Sequence, residues 1–235
     1  MSSIKGSITT VVFDLDDTLY DEVDYCRSGF EAVADFLVEV HRVPAAPADL
    51  CTAFWRQFHS GNRTETFNAA LKELGLAFDE QLIAGLVRAY RGHVPTIRLP
   101  KESRDCLANL RRSHDLAILT DGYLPAQRLK IRALGITGYF KCILYTEQLG
   151  REHWKPSPVG FVKVLEALHA QPGQAVYVAD NAAKDFIAPN SLGMRSVQVA
   201  RPLRLHKDPP PVPSAAPQHS LDSLSQLPAL LQGLD

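Results

Sequence analysis

The apolar, β-branched run Ile8 to Leu15 ends in acid, reading Asp14-Leu15-Asp16-Asp17-Thr18. Similar groups punctuate the chain further on. Thr120-Asp121-Gly122 closes a second apolar run, Lys155-Pro156 opens a helical pattern, and Asp180-Asn181 closes another run, with Asp185 a turn beyond. Two carboxylates two residues apart at a strand's end can both project toward one site as the strand opens into a loop. Close carboxylates repel while both are charged, so they need a cation, or one must hold a proton. Oxygen ligands without His or Cys favour Mg²⁺, which takes few protein carboxylates and keeps several waters. Lys155 adds a positive charge that can hold a phosphoryl group or a carboxylate nucleophile. Thr120 and the backbone N–H groups around Asp121 and Gly122 can donate to phosphate oxygens. A carboxylate nucleophile, a metal and a phosphate cradle together describe phosphoryl transfer through an aspartyl phosphate.

Taken singly, each group has an ordinary reading, because Asp, Thr, Asn and Gly are the usual residues of turns and helix N-caps after strands. Their occurrence together, in order and at successive strand ends, is much harder to obtain by chance.

The elements that must position them alternate. Continuous apolar runs at Ile8–Leu15, Leu116–Thr120, Cys142–Tyr145, Ala175–Ala179 and Ser196–Ala200 predict strands buried on both faces, the habit of parallel sheets. Helical patterns lie between them at roughly 102–112, 125–134, 157–170 and 183–192. Strand alternating with helix implies an α/β fold with a doubly wound parallel sheet, a Rossmann-like core whose ligands gather beyond the carboxyl ends of the strands.

Residues 22 to 92 break the alternation. Phe30, Val33, Ala34 and Leu37 form one helical stripe, and Leu50, Phe54 and Phe58 a second. Phe67, Ala70, Leu71 and Leu74 form a third, and Leu82, Ile83, Leu86, Val87 and Tyr90 a fourth. The expected division is a core of 1–19 with 95–235 and a helical subdomain over 20–94. The proline-rich stretch Arg201–Pro217 reads as a surface loop. A short helix should follow, packing Leu224, Leu227 and Leu231 with Pro228 in its first turn.

Composition narrows the classes. The chain has 235 residues, 46% of them apolar and 22% charged, with a net charge of −1. A near-neutral chain without a basic block is a poor nucleic-acid binder. No run approaches the roughly 18 apolar residues of a membrane span, and Met1–Thr10 lacks the apolar stretch of a secretory signal. Cys26, Cys51, Cys106 and Cys142 form no CxxC pair. They read as reduced thiols of a cytoplasmic protein, not as a zinc site or a disulfide frame. The histidines show no HxxH or HxxxH pairing for a metal.

The motifs FDLDDTL, LTDG, WKP and ADNAAKD resemble the four motifs of the haloacid dehalogenase-like (HAD) hydrolase superfamily, over a core from about 8 to 200. The helical insertion resembles that of the subclass with an α-helical cap. The resemblance implies Asp14 as nucleophile, and Asp16 as the acid that protonates the leaving oxygen and then the base that activates water. It implies phosphate contacts from Thr120, Asp121, Gly122 and Lys155. Mg²⁺ would be held by Asp14, the Asp16 main-chain carbonyl and Asp180, with Asp185, Asn181 and Thr18 in support. One departure is visible: the fourth motif commonly begins Gly-Asp, whereas Ala179 precedes Asp180 here. Glu152-His153-Trp154 has no counterpart role in the family pattern. In the cap, Tyr25, Arg27, Arg56 and Arg63 are the candidates to meet an anionic substrate, set against cap core for Tyr25 and solvated helix faces for the arginines.

The expected function is a Mg²⁺-dependent phosphatase of a small phosphate monoester, a sugar phosphate or a nucleotide, with no nucleic-acid or membrane partner. Halide displacement needs no protonated leaving group, so an acid at Asp16 argues for phosphate chemistry. A phosphosugar mutase keeps both aspartates and a helical cap and stands as the alternative. A receiver domain would need an acceptor Asp after the third strand, where Tyr145-Thr146-Glu147 stands. A non-enzymatic binding scaffold would not need every acid and the lysine.

Overall fold

The structure is a computed structural model that describes residues 7–234. Six parallel strands form one sheet: β1 (Thr10–Phe13), β2 (Asp115–Thr120), β3 (Cys142–Tyr145), β4 (Ala175–Ala179), β5 (Arg195–Val199) and β6 (His219–Leu221). Their order is β3-β2-β1-β4-β5-β6. The chain therefore winds outward from β1 in one direction and resumes at β4 on the other side. This reversal beside β1 is the topological switch point, where a doubly wound sheet opens a crevice at its carboxyl edge.

Val11, Val12 and Phe13 are buried on both faces, as the unbroken apolar run requires. Val11 pairs with Leu116 on one side and Val176 on the other. The Asp14 N–H continues that ladder to Val178 O at 2.9 Å. One face is filled by Phe161, Val164 and Leu165 of α7 (Val159–Ala167) against Val12, Leu119 and Tyr177. An α5 helix (Lys101–Leu110) precedes β2, and α6 (Ala126–Leu134) follows it.

Two stretches differ from the sequence expectation. Residues 183–186 are turn, and the helix α8 is only Ile187–Leu192. Local side-chain bonds compete with the helix there: Asn181 Oδ1 accepts from Ala183 N–H and Asp185 Oδ2 from Asn181 N–H, both at 3.0 Å. The sheet also gains β6 after the proline-rich loop, a strand of three residues without an apolar run to announce it. The final helix, α9 (Leu227–Gln232), has Pro228 in its first turn and buries Leu227 and Leu231, with Leu224 buried just ahead.

The described residues divide into two compact units, one ending at Val23 and resuming at Arg98, the other Asp24–Ile97. The break falls after Val23 because the turn following β1 is bonded past residue 20, the Glu22 N–H donating to Asp17 Oδ1 at 2.8 Å. The inserted unit comprises most of α1 (Glu22–Glu39), then α2 (Pro47–His59), α3 (Thr66–Glu73) and α4 (Glu80–Gly92). Its core is aromatic: Phe30 meets Phe54, Trp55, Phe58, Phe67 and Tyr90, with ring centroids 5.0–6.2 Å apart. Of the fourth apolar stripe, only Leu86 is fully buried. No described helix is long and apolar enough to cross a membrane.

Candidate active site

Beyond the carboxyl ends of β1, β2 and β4 lies a cavity of about 160 Å³ lined by Asp14, Asp16, Asp17, Glu22, Asp121, Gly122, Trp154, Lys155, Asp180, Asn181, Lys184 and His206. Drug-sized pockets run to roughly 300–1,000 Å³, so this one suits a phosphoryl-sized group. Every one of those residues belongs to the sheet-bearing unit.

Lys155 is the hub. Its side chain is 1% exposed, and Nζ lies 2.9 Å from Asp14 Oδ1, 2.8 Å from Asp185 Oδ1 and 3.0 Å from the Tyr177 hydroxyl. Burial works against its charge, yet Asp14 and Asp185 hold it protonated, well above the ordinary lysine range. Carboxylate oxygens of Asp14, Asp180 and Asp185 come within 4.8 Å of one another. One lysine cannot balance three buried acids. Burial, with Asp185 adding repulsion, pushes Asp14 up to about 7 even against Lys155. Burial, with repulsion from Asp185 and Asp14, pushes Asp180 to about 10. Asp180 Oδ2 is buried without a hydrogen-bond partner. Acids raised by burial and by mutual repulsion, with a buried oxygen left unbonded, fit a hard divalent cation bound by oxygen ligands.

Asp16 has the opposite environment. Lys130 Nζ lies 2.8 Å from Oδ1, Gln127 Nε2 donates to Oδ2 at 2.8 Å, and the Tyr20 hydroxyl donates to Oδ1. Burial raises its proton affinity, but the Lys130 charge and these hydrogen bonds outweigh it and hold Asp16 below the usual carboxylate range. Glu22, 3.7 Å from the same Lys130 Nζ, is pushed to about 8 by burial and by the Asp16 charge. Asp121 is likewise held low against its burial by Lys155 and Lys184, the latter at 2.8 Å from Oδ2. The backbone N–H of Lys155 and the Thr146 hydroxyl both donate to Asp121 Oδ1.

The structure thus brings Asp14, Asp16, Asp121, Gly122, Lys155, Asp180 and Asn181 to one cavity. Three other expected residues are not among its lining. Asp185 is fully buried beneath Lys155. The Thr120 hydroxyl donates to the Asp121 carbonyl at 3.2 Å and accepts from Gln127 at 2.7 Å. Thr18 is buried with no hydrogen-bond partner for its hydroxyl. In the helical unit, the four expected substrate contacts have partners of their own. Tyr25 donates to the Tyr90 carbonyl at 3.1 Å, Arg27 pairs with Asp24 at 2.7 Å, Arg56 pairs with Glu73, and Arg63 lies 4.9 Å over the Phe58 ring.

Sequence reasoning missed Glu22, Lys184, His206, Gln127 and Lys130. Lys184 lay inside the fourth motif, and its spacing from Asp180 was the available signal. His206 was hidden in the proline-rich stretch, although the loop after β5 opens at the same sheet edge. Trp154, noted without a role, lines the cavity and packs edge-on to Tyr123 with centroids 5.5 Å apart.

Residues 8–193 match the model of haloacid dehalogenase-like hydrolases. The chain belongs to that family. This haloacid dehalogenase-like hydrolase is 27% identical over 205 residues to the glyceraldehyde 3-phosphate phosphatase of Methanopyrus kandleri, covering 83% of this chain and 84% of that one. It is 26% identical over 243 residues to the N-acylneuraminate-9-phosphatase of Homo sapiens, covering 97% and 95%. Among solved structures, the magnesium-bound HAD-hydrolase YfnB of Bacillus subtilis superposes with a TM-score of 0.69 at 23% identity, over 96% of this chain and 99% of that one.

Proposed function

We propose that this hydrolase is a Mg²⁺-dependent phosphatase of small phosphorylated sugars, acting through an aspartyl phosphate on Asp14. The observation that carries the reading is the pair Asp14 and Asp16 on one phosphoryl-sized cavity, the first beside Lys155 and two further acids, the second bonded to separate donors. Two carboxylates whose environments push their proton affinities apart divide the labour of nucleophile and proton carrier.

Asp14 Oδ attacks phosphorus, the ester P–O bond breaks, and the leaving oxygen takes a proton from Asp16. A water then attacks the phosphoryl group and gives its proton to Asp16, the Asp14–phosphorus bond breaks, and inorganic phosphate is released. The low proton affinity of Asp16 beside Lys130 suits the second half, and the negative charge of an entering phosphate raises that affinity for the first. Lys155 steadies the charge of Asp14 and of the phosphoryl oxygens. The Asp14 carboxylate, the Asp16 main-chain carbonyl and Asp180 would hold Mg²⁺, with Asp185 in support. When bound, the ion supplies positive charge to the phosphoryl oxygens and to the acid cluster.

The sugar-phosphate class rests on the likeness to the two phosphatases above. The helical unit over 24–97 corresponds to the inserted cap of this family. The wide spacing of Cys26, Cys51, Cys106 and Cys142 in the sequence is the ground for placing the protein in a reducing cytoplasm. The test is phosphate release from glyceraldehyde 3-phosphate, N-acylneuraminate 9-phosphate and a nucleoside monophosphate, with Mg²⁺ and with excess EDTA. Metal-dependent release from the sugar phosphates is expected. Isomerised sugar phosphate without free phosphate would replace the phosphatase with a mutase.

A further inference from the structure

Gln127 and Lys130 stand three residues apart on α6, and that spacing puts them on one helix face. Polar residues at such positions usually meet solvent, but these are 1% and 3% exposed. Burying an ammonium is costly unless it is paired, and the partner found here is Asp16, at 2.8 Å, with Glu22 at 3.7 Å. The Gln127 amide donates from one nitrogen to both Asp16 Oδ2 at 2.8 Å and Thr120 Oγ1 at 2.7 Å. Its side chain is held in turn by Gly122: a Cβ built there would meet Gln127 Cδ at 2.9 Å. Both oxygens of Asp16 are therefore gripped from α6.

We propose that Gln127 and Lys130 are positioning residues, which fix the Asp16 carboxylate at the angle from which it serves the leaving oxygen, Gln127 also tying it to Thr120. The inference rests on the reading of Asp16 as the proton donor. In the first half of the reaction, which kcat/KM reports because it ends with departure of the leaving group, a displaced donor does harm only to the extent that the leaving oxygen needs its proton. An alkoxide needs it, whereas p-nitrophenolate departs without it.

The experiment compares kcat/KM on glyceraldehyde 3-phosphate and on p-nitrophenyl phosphate for Lys130→Met, Gln127→Leu, Asp16→Asn and the doubles carrying Asp16→Asn. Lys130→Met and Gln127→Leu are each expected to lower kcat/KM on the sugar phosphate about 10–10²-fold, but on the aryl ester less than about threefold. Added to Asp16→Asn, neither should cost anything more, since each acts through Asp16. Equal losses on the two substrates, or further loss on top of Asp16→Asn, would overturn the positioning role. If Asp16→Asn itself fails to separate the two substrates, the proton-donor reading falls and takes this inference with it. Gln127→Leu carries no charge change, so it keeps the test open should Lys130→Met fail to fold.

Discussion

Lys155 Nζ stands 2.9 Å from Asp14 Oδ1 in an almost fully enclosed ion pair, and the same ammonium reaches Asp185 at 2.8 Å. A group so placed serves the resting nucleophile and, once phosphorus is attacked, the oxygens around it. Lys155→Met is expected to lower kcat about 10²–10³-fold, the usual effect of removing one donor aimed at developing charge. Lys155→Arg should recover little, because a planar guanidinium cannot repeat three contacts made by a compact ammonium. Steady-state kinetics on the best sugar phosphate decide it, and recovery by arginine would mean that charge alone matters.

Asp14→Asn should abolish turnover while leaving the fold intact. The amide is nearly isosteric but a poor nucleophile, and it removes one charge from a cluster of three acids. A circular-dichroism spectrum like that of the wild type with no phosphate release is the expected pair of results. Near-wild-type turnover would sink the covalent route.

The acid cluster also makes stability depend on pH in a definite direction. Asp180 rises from an ordinary 3.8 to about 10 through burial and its acidic neighbours, and Asp14 to about 7 through burial and Asp185. Between those limits the folded, metal-free protein binds more protons than the unfolded chain, so its stability falls as pH rises. That contribution is complete below about pH 4 and is lost as pH climbs through 7 toward 10. Asp16 and Asp121 are held low and act with the opposite sign, but their contribution is lost only below their ordinary value. In EDTA the thermal midpoint should therefore fall from about pH 5.5 to about pH 8.5. Mg²⁺, which must displace the protons, should raise the midpoint more at the higher pH. A larger Mg²⁺ effect at the acid end would contradict this account of the cluster.

What could be read from the chain before its structure follows from topology. In a parallel sheet every strand delivers its next residue to the same edge, so Asp14, Asp121 and Asp180 could be placed together from apolar runs alone. Lys155 was legible as a cation ahead of a helix, but its contact with Tyr177 was not, because Tyr177 lies inside a strand and reads as core. Gln127 and Lys130 carried no signal in the sequence, since spacing tells which residues share a face and not what that face meets. Residues 183–186 continued a helical pattern that the side chains of Asn181 and Asp185 break by bonding the backbone locally. His206 had no local pattern at all. Its loop is anchored by the Leu205 N–H on Asp17 Oδ2 at 2.6 Å, a partner far away in sequence.

The helical unit offers a test of packing that is independent of the chemistry. Gly29 is buried on α1, and a Cβ built there would lie 2.4 Å from Tyr90 Cε2 and 2.6 Å from Cδ2. The backbone does not need a glycine at this point, so helix propensity alone would favour Gly29→Ala by about 1 kcal/mol. The ring cannot simply swing aside, because it is wedged among Tyr25, Phe30 and Phe67, with centroids 5.3–5.9 Å apart. Overpacking of this kind costs typically about 1–3 kcal/mol, enough to reverse the gain in propensity. Gly29→Ala is therefore expected to lower stability by about 1–2 kcal/mol and the thermal midpoint by roughly 2–8 °C. Calorimetry of the metal-free protein measures it, and a midpoint that stays level or rises would show that Tyr90 yields at little cost.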